Sequence, residues 1–140
     1  MVNVQQIFKR GLMNGLKTSW ELIKIIVPVY FFVTFLKHTP ALNYISKLIS
    51  PFMELLGLSG ESSIVLVMGY ALNLYAALGA IASLTLSLKE ITILAIMLSF
   101  AHSFFIETAV SKKFGISTSA LTFLRFVSSI IAGFIANLLL

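Results

Sequence analysis

The segment Glu61–Lys89 is apolar and uncharged between its ends, yet it carries Gly69, Tyr70, Asn73, Tyr75 and Gly79 around its middle. A helix that crosses a bilayer needs about 20 apolar residues, and its centre is where lipid tolerates polar groups least. One tilted crossing is therefore long enough but polar in the wrong place. Folded back at Asn73, the same residues give two arms of about ten residues, each about 15 Å long and about half as deep as the hydrocarbon core. The turn would then lie near the membrane midplane. Whether this stretch crosses or folds back decides the topology of the whole chain.

Composition places the chain in a membrane. Hydrophobic residues are 59% of 140 and charged residues only 11%, against roughly 45–50% and 25% in an ordinary soluble domain; mean hydropathy is +1.01. The fold class expected is an all-α integral membrane protein of the inner, or cell, membrane with several passes. Ten Lys and Arg stand against five Glu and no Asp, for a net charge of +5. These charges flank the apolar runs, where they meet anionic headgroups, so a nucleic-acid partner is not expected. With no cysteine, disulfides, thiolate metal sites and Cys nucleophiles are excluded. Ile25–Leu36 is followed by Lys37-His38-Thr39-Pro40 and not by a small-residue cleavage site, so the N-terminus is expected to be retained.

The first 17 residues place Val4, Ile7, Phe8, Leu12 and Leu16 near one helical face, with Gln5, Lys9, Arg10 and Lys17 elsewhere. That pattern predicts an amphipathic helix lying in the interface. Residues 18–140 form one transmembrane domain. Trp20 marks a headgroup-level anchor, and Glu21–Leu36 supplies the first span, with Lys24 snorkelling and Pro28 kinking it. Ala41–Leu56 is interrupted by Lys47, Pro51 and Glu54 and is expected to lie on the surface or re-enter. Residues 61–88 follow as a hairpin or broken helix, entered through Glu61 with Ser59 as a cap. Ile91–Thr108 is the next span, Lys112–Thr118 a basic loop, and Ala120–Leu140 the last span, with Arg125 near enough to the loop to snorkel. Three full spans, an interfacial helix and a re-entrant hairpin result, with four full spans as the alternative.

Positive charge bears on that choice. If residues 61–89 cross, Lys9, Arg10, Lys17, Lys24 and Lys89 balance Lys37, Lys47, Lys112, Lys113 and Arg125, five against five. If they fold back, Lys112, Lys113 and Arg125 join the N-terminal side and Lys89 leaves it, seven against three. The second arrangement has a preferred orientation, with a cytoplasmic N-terminus.

Polar groups at membrane depth are the candidate solute- or ion-binding residues, because such groups usually face a cavity, a partner or a transported solute. Glu107 lies one turn from Ser103 and beside Thr108, so a hydroxyl and a carboxylate share a face. The alternative places Glu107 at the helix end, paired with Lys112 or Lys113. His102 is some 140° around the axis from Glu107 in a regular helix, and only a helix break between them would bring the two together. Otherwise it is a packed histidine bonded to a carbonyl. Asn73 is either a hairpin tip that touches solute or an interhelical hydrogen-bond partner. Glu61, Ser62 and Ser63 read as a helix N-terminal turn, or as amides offered to an anionic group. Tyr75 and Tyr70 either stack on a base or pack with one hydroxyl bond.

This order of elements is what resembles a known family. A span, an interfacial helix with Pro51, Gly-Glu-Ser-Ser at Gly60–Ser63, an interrupted apolar segment around Asn73, then Ala101-His102-Ser103 and Glu107-Thr108 resemble the nucleoside-recognition, or gate, domain family. That family is similar to one repeat of the concentrative nucleoside transporters and to the gate regions of the bacterial ferrous-iron transporter. The resemblance covers roughly Leu16 to the C-terminus. It implies a re-entrant hairpin at Glu61–Leu86 with Asn73 at its tip, and a partly unwound helix at Ile91–Thr108. The transporters' Gln-(Ser or Thr)-Glu hairpin run is absent.

Function follows as expectation. Inverted-repeat transporters build their site between two halves, and 140 residues supply one half. The chain is expected to act as part of a transporter-like assembly for a small polar solute or ion. Its partner would be a second copy, antiparallel or parallel, or a related membrane chain. The rival expectation is a non-transporting scaffold or assembly subunit. Enzyme chemistry, a cofactor and a resident metal are not expected: H-E-x-x-H, G-x-S-x-G and P-loop patterns are missing.

Overall fold

The structure is a computed structural model and describes residues 4–114 and 117–140. Residues 1–3 of the amphipathic segment and 115–116 of the basic loop lie outside the described residues, as does the side chain of Lys113. The described residues form helices α1 (Val4–Lys37), α2 (Pro40–Leu55), α3 (Ser62–Ala71), α4 (Leu74–Ser83), α5 (Leu88–Phe100), α6 (Phe104–Lys113) and α7 (Thr118–Leu139), with no strand among them.

Helix α1 does not divide where the sequence pattern suggested. Its 34 residues are continuous, about 51 Å at 1.5 Å per residue, because nothing between Leu16 and Trp20 breaks a helix. Gly11 and Gly15 stand in open space and cost only propensity. The helix also continues through Pro28, whose ring removes the donor that the Lys24 carbonyl would otherwise meet. Every residue from Val4 to Glu21 is exposed, whereas Val33 is fully buried.

Helix α2 starts with Pro40, tolerated where the first amide has no intrahelical partner. Its end turns sharply at Gly57, φ 69°. The Gly57 amide donates to Glu54 O at 2.9 Å and the Leu58 amide to Met53 O at 3.0 Å, the paired bonds that close a helix C-terminus through a left-handed residue. A Cβ at Gly57 would stand 2.1 Å from Asn137 Oδ1, so the site excludes a side chain as well as requiring the conformation.

Helices α3 and α4 fold back on one another at Leu72–Asn73 and pack together, with α4 lying along α1. Close approach is possible because Gly79 faces α1: a Cβ there would be 2.8 Å from Ile26 O. At the hairpin's open end, Glu90 of α5 ties the base together. Its carboxylate accepts from Ser59 N (2.9 Å) and Ser62 Oγ (3.2 Å) at the start of α3, and from Ser87 N and Oγ (both 2.8 Å) in its own capping box. The starts of α3 and α5 therefore lie side by side.

The core is apolar and centres on α5, where Ile93, Leu94, Met97 and Leu98 are almost completely buried against Val65 and Leu66 of α3, Ala77 and Ala80 of α4, and Ala136 of α7. Gly133 lets α7 close on α5; a Cβ there would be 2.6 Å from Met97 Sδ. By length and composition α1, the α5–α6 stretch Leu88–Lys112 and α7 can each cross a membrane, while α3 and α4 are short apolar helices.

Candidate functional site

The stretch Leu88–Lys112 is not one helix. It stops at Phe100, passes through Ala101-His102-Ser103 in non-helical conformations and restarts at Phe104. Ser103 takes the left-handed conformation, φ 53°, ψ 41°, which is uncommon and costly outside glycine. What holds it there is tertiary: the Ser103 amide donates to Gly69 O of α3 at 2.9 Å. Gly69 is also where α3 packs most tightly on its neighbours, since a Cβ on it would lie 2.4 Å from Leu98 Cδ2 of α5 and 3.2 Å from the Ala77 Cβ of α4.

A helix end leaves carbonyls without partners, and at membrane depth each must be satisfied. Met97 O accepts from the Ala101 amide at 3.2 Å and from Ser129 Oγ at 2.8 Å. Leu98 O lies 3.1 Å from His102 Nδ1, and Phe100 O accepts from Arg125 Nε at 3.0 Å. Side chains of α7 and of the break itself thus replace the missing turn of helix.

The break also reverses the separation expected for a regular helix. His102 Nε2 comes to 3.7 Å from Glu107 Oε1. The other carboxylate oxygen of Glu107 is ion-paired with Arg125 Nη1 of α7. These three side chains are neither sealed nor free, with 36%, 31% and 23% of their area exposed for His102, Glu107 and Arg125. Glu107 sits in the first turn of α6, where the helix dipole favours a negative charge. An aromatic trio borders the cluster: the rings of Tyr70 and Phe104 are 5.1 Å apart, and those of Tyr70 and Phe126 5.9 Å. Beside it, α6 and α7 form an open groove of about 520 Å³, lined by Phe104, Thr108, Thr118, Ser119, Thr122, Phe123 and Phe126. Thr108 Oγ1 meets Thr122 Oγ1 across it at 3.3 Å.

The nine expected site residues fall in three places. His102, Ser103, Glu107 and Thr108 lie at the break and its groove. Asn73 stands at the hairpin turn, one helical turn beyond Gly69, but its carboxamide accepts from the Ala76 amide at 2.9 Å as the N-cap of α4. Tyr75 is 42% exposed on the following turn. Glu61, Ser62 and Ser63 are at the opposite end of α3. There Ser62 is bound to Glu90, Ser63 Oγ donates to Gly60 O at 2.6 Å, and Glu61 makes no side-chain cap bond.

Three participants escaped the sequence reading. Arg125 was expected to reach toward the headgroups; it turns inward because Glu107 and a bare carbonyl lie within its reach. The available signal was two opposite charges in neighbouring apolar spans, which tend to find each other. Ser129, fully buried, donates to Met97 O and is 2.7 Å from Tyr70 Oη; one serine among several small residues gave no such signal. Glu90, given no role by the sequence pattern, proves to be the clasp of the hairpin base. Among the described residues no group of three or more His, Cys, Asp or Glu side chains is placed to hold a metal ion.

Comparison with known proteins adds three findings. A family model described as "Gate: Nucleoside recognition" matches residues 19–118. The chain is 44% identical over 136 residues to "Uncharacterized membrane protein YvoD" of Bacillus subtilis (strain 168), covering 97% of this chain but 44% of that protein. This chain thus spans less than half the length of that relative. No solved structure matches it.

Proposed function

Because the chain belongs to the nucleoside-recognition (Gate) family, with 19–118 as the matched residues, we propose that it is one half of a transporter-like assembly in the cell membrane that binds and moves a small polar solute or ion. The observation that carries this reading is the interrupted helix α5–α6. Non-helical backbone and a His102–Glu107–Arg125 cluster at membrane depth are tolerated where they line a cavity or a path, not where they face lipid. Glu107, His102, Ser103 and Thr108 would meet the solute, and Asn73 and Tyr75 would reach it from the hairpin turn. Glu61, Ser62 and Ser63 would serve at the hairpin base as structural groups. The YvoD-like relative has room for more than a second region of this size, which supports a site completed by a second copy or by a related membrane chain.

In this reading α3–α4 is a re-entrant hairpin. Each arm of ten residues is about 15 Å long, half the hydrocarbon thickness, and the shared base at Glu90 returns the chain to the side it entered from. Single cysteines at Asn14, Ser87 and Ser117, in a chain without native Cys, test this. Fold-back puts positions 14 and 117 on one side and 87 on the other; a full crossing pairs 14 with 87.

The rival reading is a scaffold or assembly subunit that moves nothing. It is favoured by how many polar groups are satisfied internally, Asn73, Ser62, Ser63 and Ser129 among them. Stabilisation of the purified protein by a panel of nucleosides and small polar metabolites separates the two. Solute binding predicts a raised melting temperature that Glu107→Leu and His102→Leu abolish while the protein stays folded. Loss of folding alone, with no solute response in the parent, favours the scaffold.

A further inference from the structure

The C-terminal end of α5 and the start of α6 together define a place for one positive charge. The last carbonyls of α5 form the negative end of its dipole, and Phe100 O has no backbone donor in the helix that follows. Glu107 adds a full negative charge on the other side of the break. Into this place projects Arg125 from α7, with Nε on Phe100 O at 3.0 Å and Nη1 on the Glu107 carboxylate. The two contacts use the fork of a guanidinium, which a single ammonium cannot reproduce. A carbonyl oxygen and a carboxylate oxygen are also the donors that a hard cation such as sodium takes. His102 shares Glu107 from the other side, and its Nδ1 is already directed at Leu98 O.

We propose that Arg125 is a tethered cation: it fills the cation position of the helix break, joins α5 to α6 across it, and leaves the resting protein with no need of a free ion there. It is a positioning residue, and the inference holds whether or not a solute is moved. Removing the guanidinium while Glu107 remains should open a vacancy for a small soluble cation. Removing both charges should abolish the need for one.

Thermal melting of the purified full chain tests this in choline, sodium, potassium and sub-denaturing guanidinium chloride at equal ionic strength. The parent is expected to melt at the same temperature in the choline, sodium and potassium salts. Arg125→Ala should melt several degrees lower in choline, which is too bulky to enter. Guanidinium should restore at least half of that loss, and sodium part of it. Glu107→Gln combined with Arg125→Ala should melt above Arg125→Ala in choline and respond to no cation. The proposal is overturned if Arg125→Ala melts like the parent in choline. A deficit that no cation restores and that the second substitution does not relieve also overturns it. If Arg125→Ala does not fold, a folded double variant supports the proposal and an equally unfolded one overturns it.

Discussion

The amide of Ser103 and the carbonyl of Gly69 meet at 2.9 Å, so the joint of one broken helix is hydrogen-bonded to the first arm of the hairpin. That bond fixes Ser103 with φ 53°, and the serine hydroxyl contributes nothing visible to it. Ser103→Gly should therefore keep the amide and relieve the conformation, leaving the protein as stable or more stable by up to ~1 kcal/mol. Ser103→Val should cost about 1–2 kcal/mol, because a β-branched residue resists the left-handed region. Melting temperatures of the two variants, ordered glycine above parent above valine, check this.

Gly69 makes the complementary case. A methyl there must displace Leu98, whose Cδ2 would be 2.4 Å away, and press on Ala77 at 3.2 Å. Gly69→Ala should destabilise by about 1–3 kcal/mol, the cost of overpacking a filled interior. Leu98→Ala in the same chain should recover part of the loss, because it removes the displaced side chain. A Gly69→Ala protein that melts like the parent would contradict the packing described for α3, α4 and α5.

Tyr70 and Ser129 form the polar link between α3 and α7, with 2.7 Å between their oxygens. Bonds of this kind within membranes average about 0.6 kcal/mol and reach about 1.7. A double-mutant cycle with Tyr70→Phe and Ser129→Ala should give a coupling energy in that range. Ser129→Ala alone should cost more than Tyr70→Phe, because Ser129 also donates to Met97 O at 2.8 Å and its loss strips one partner from a helix end.

Asn73 can be assigned by substitution. As the N-cap of α4 it needs only an acceptor oxygen, so Asn73→Ala should cost about 1 kcal/mol and the neutral Asn73→Ser little. If it also contacts solute, Asn73→Ser should melt like the parent yet lose the solute-induced rise in melting temperature. Equal solute responses in parent and Asn73→Ser would confine the residue to capping.

The positions of the helices were legible because apolar length and flanking charge are local properties: Thr39-Pro40, Gly57 and Asn73 each mark a boundary that the structure keeps, while α5 begins at Leu88, three residues before the expected Ile91. The break between His102 and Glu107 was legible as a condition and through the family resemblance but not from local residue type, since Ala101-His102-Ser103 contains neither proline nor glycine and is compatible with continuous helix. At residue 17 the pattern changes while helix α1 runs on unbroken. A change from amphipathic to uniformly apolar pattern alters what surrounds a helix without interrupting its backbone hydrogen bonds.

Sequence alone determined that this is a membrane-embedded helical chain of the gate type, because hydropathy, charge placement and the order of apolar segments are written residue by residue. Tertiary structure alone decided which polar groups are partners. Arg125 lies 18 positions beyond Glu107, and Gly69 lies 34 before Ser103. What joins each pair is the requirement that carbonyls and charges left bare by a broken helix find donors from whichever helix packs beside it, and neighbours in space are set by the fold.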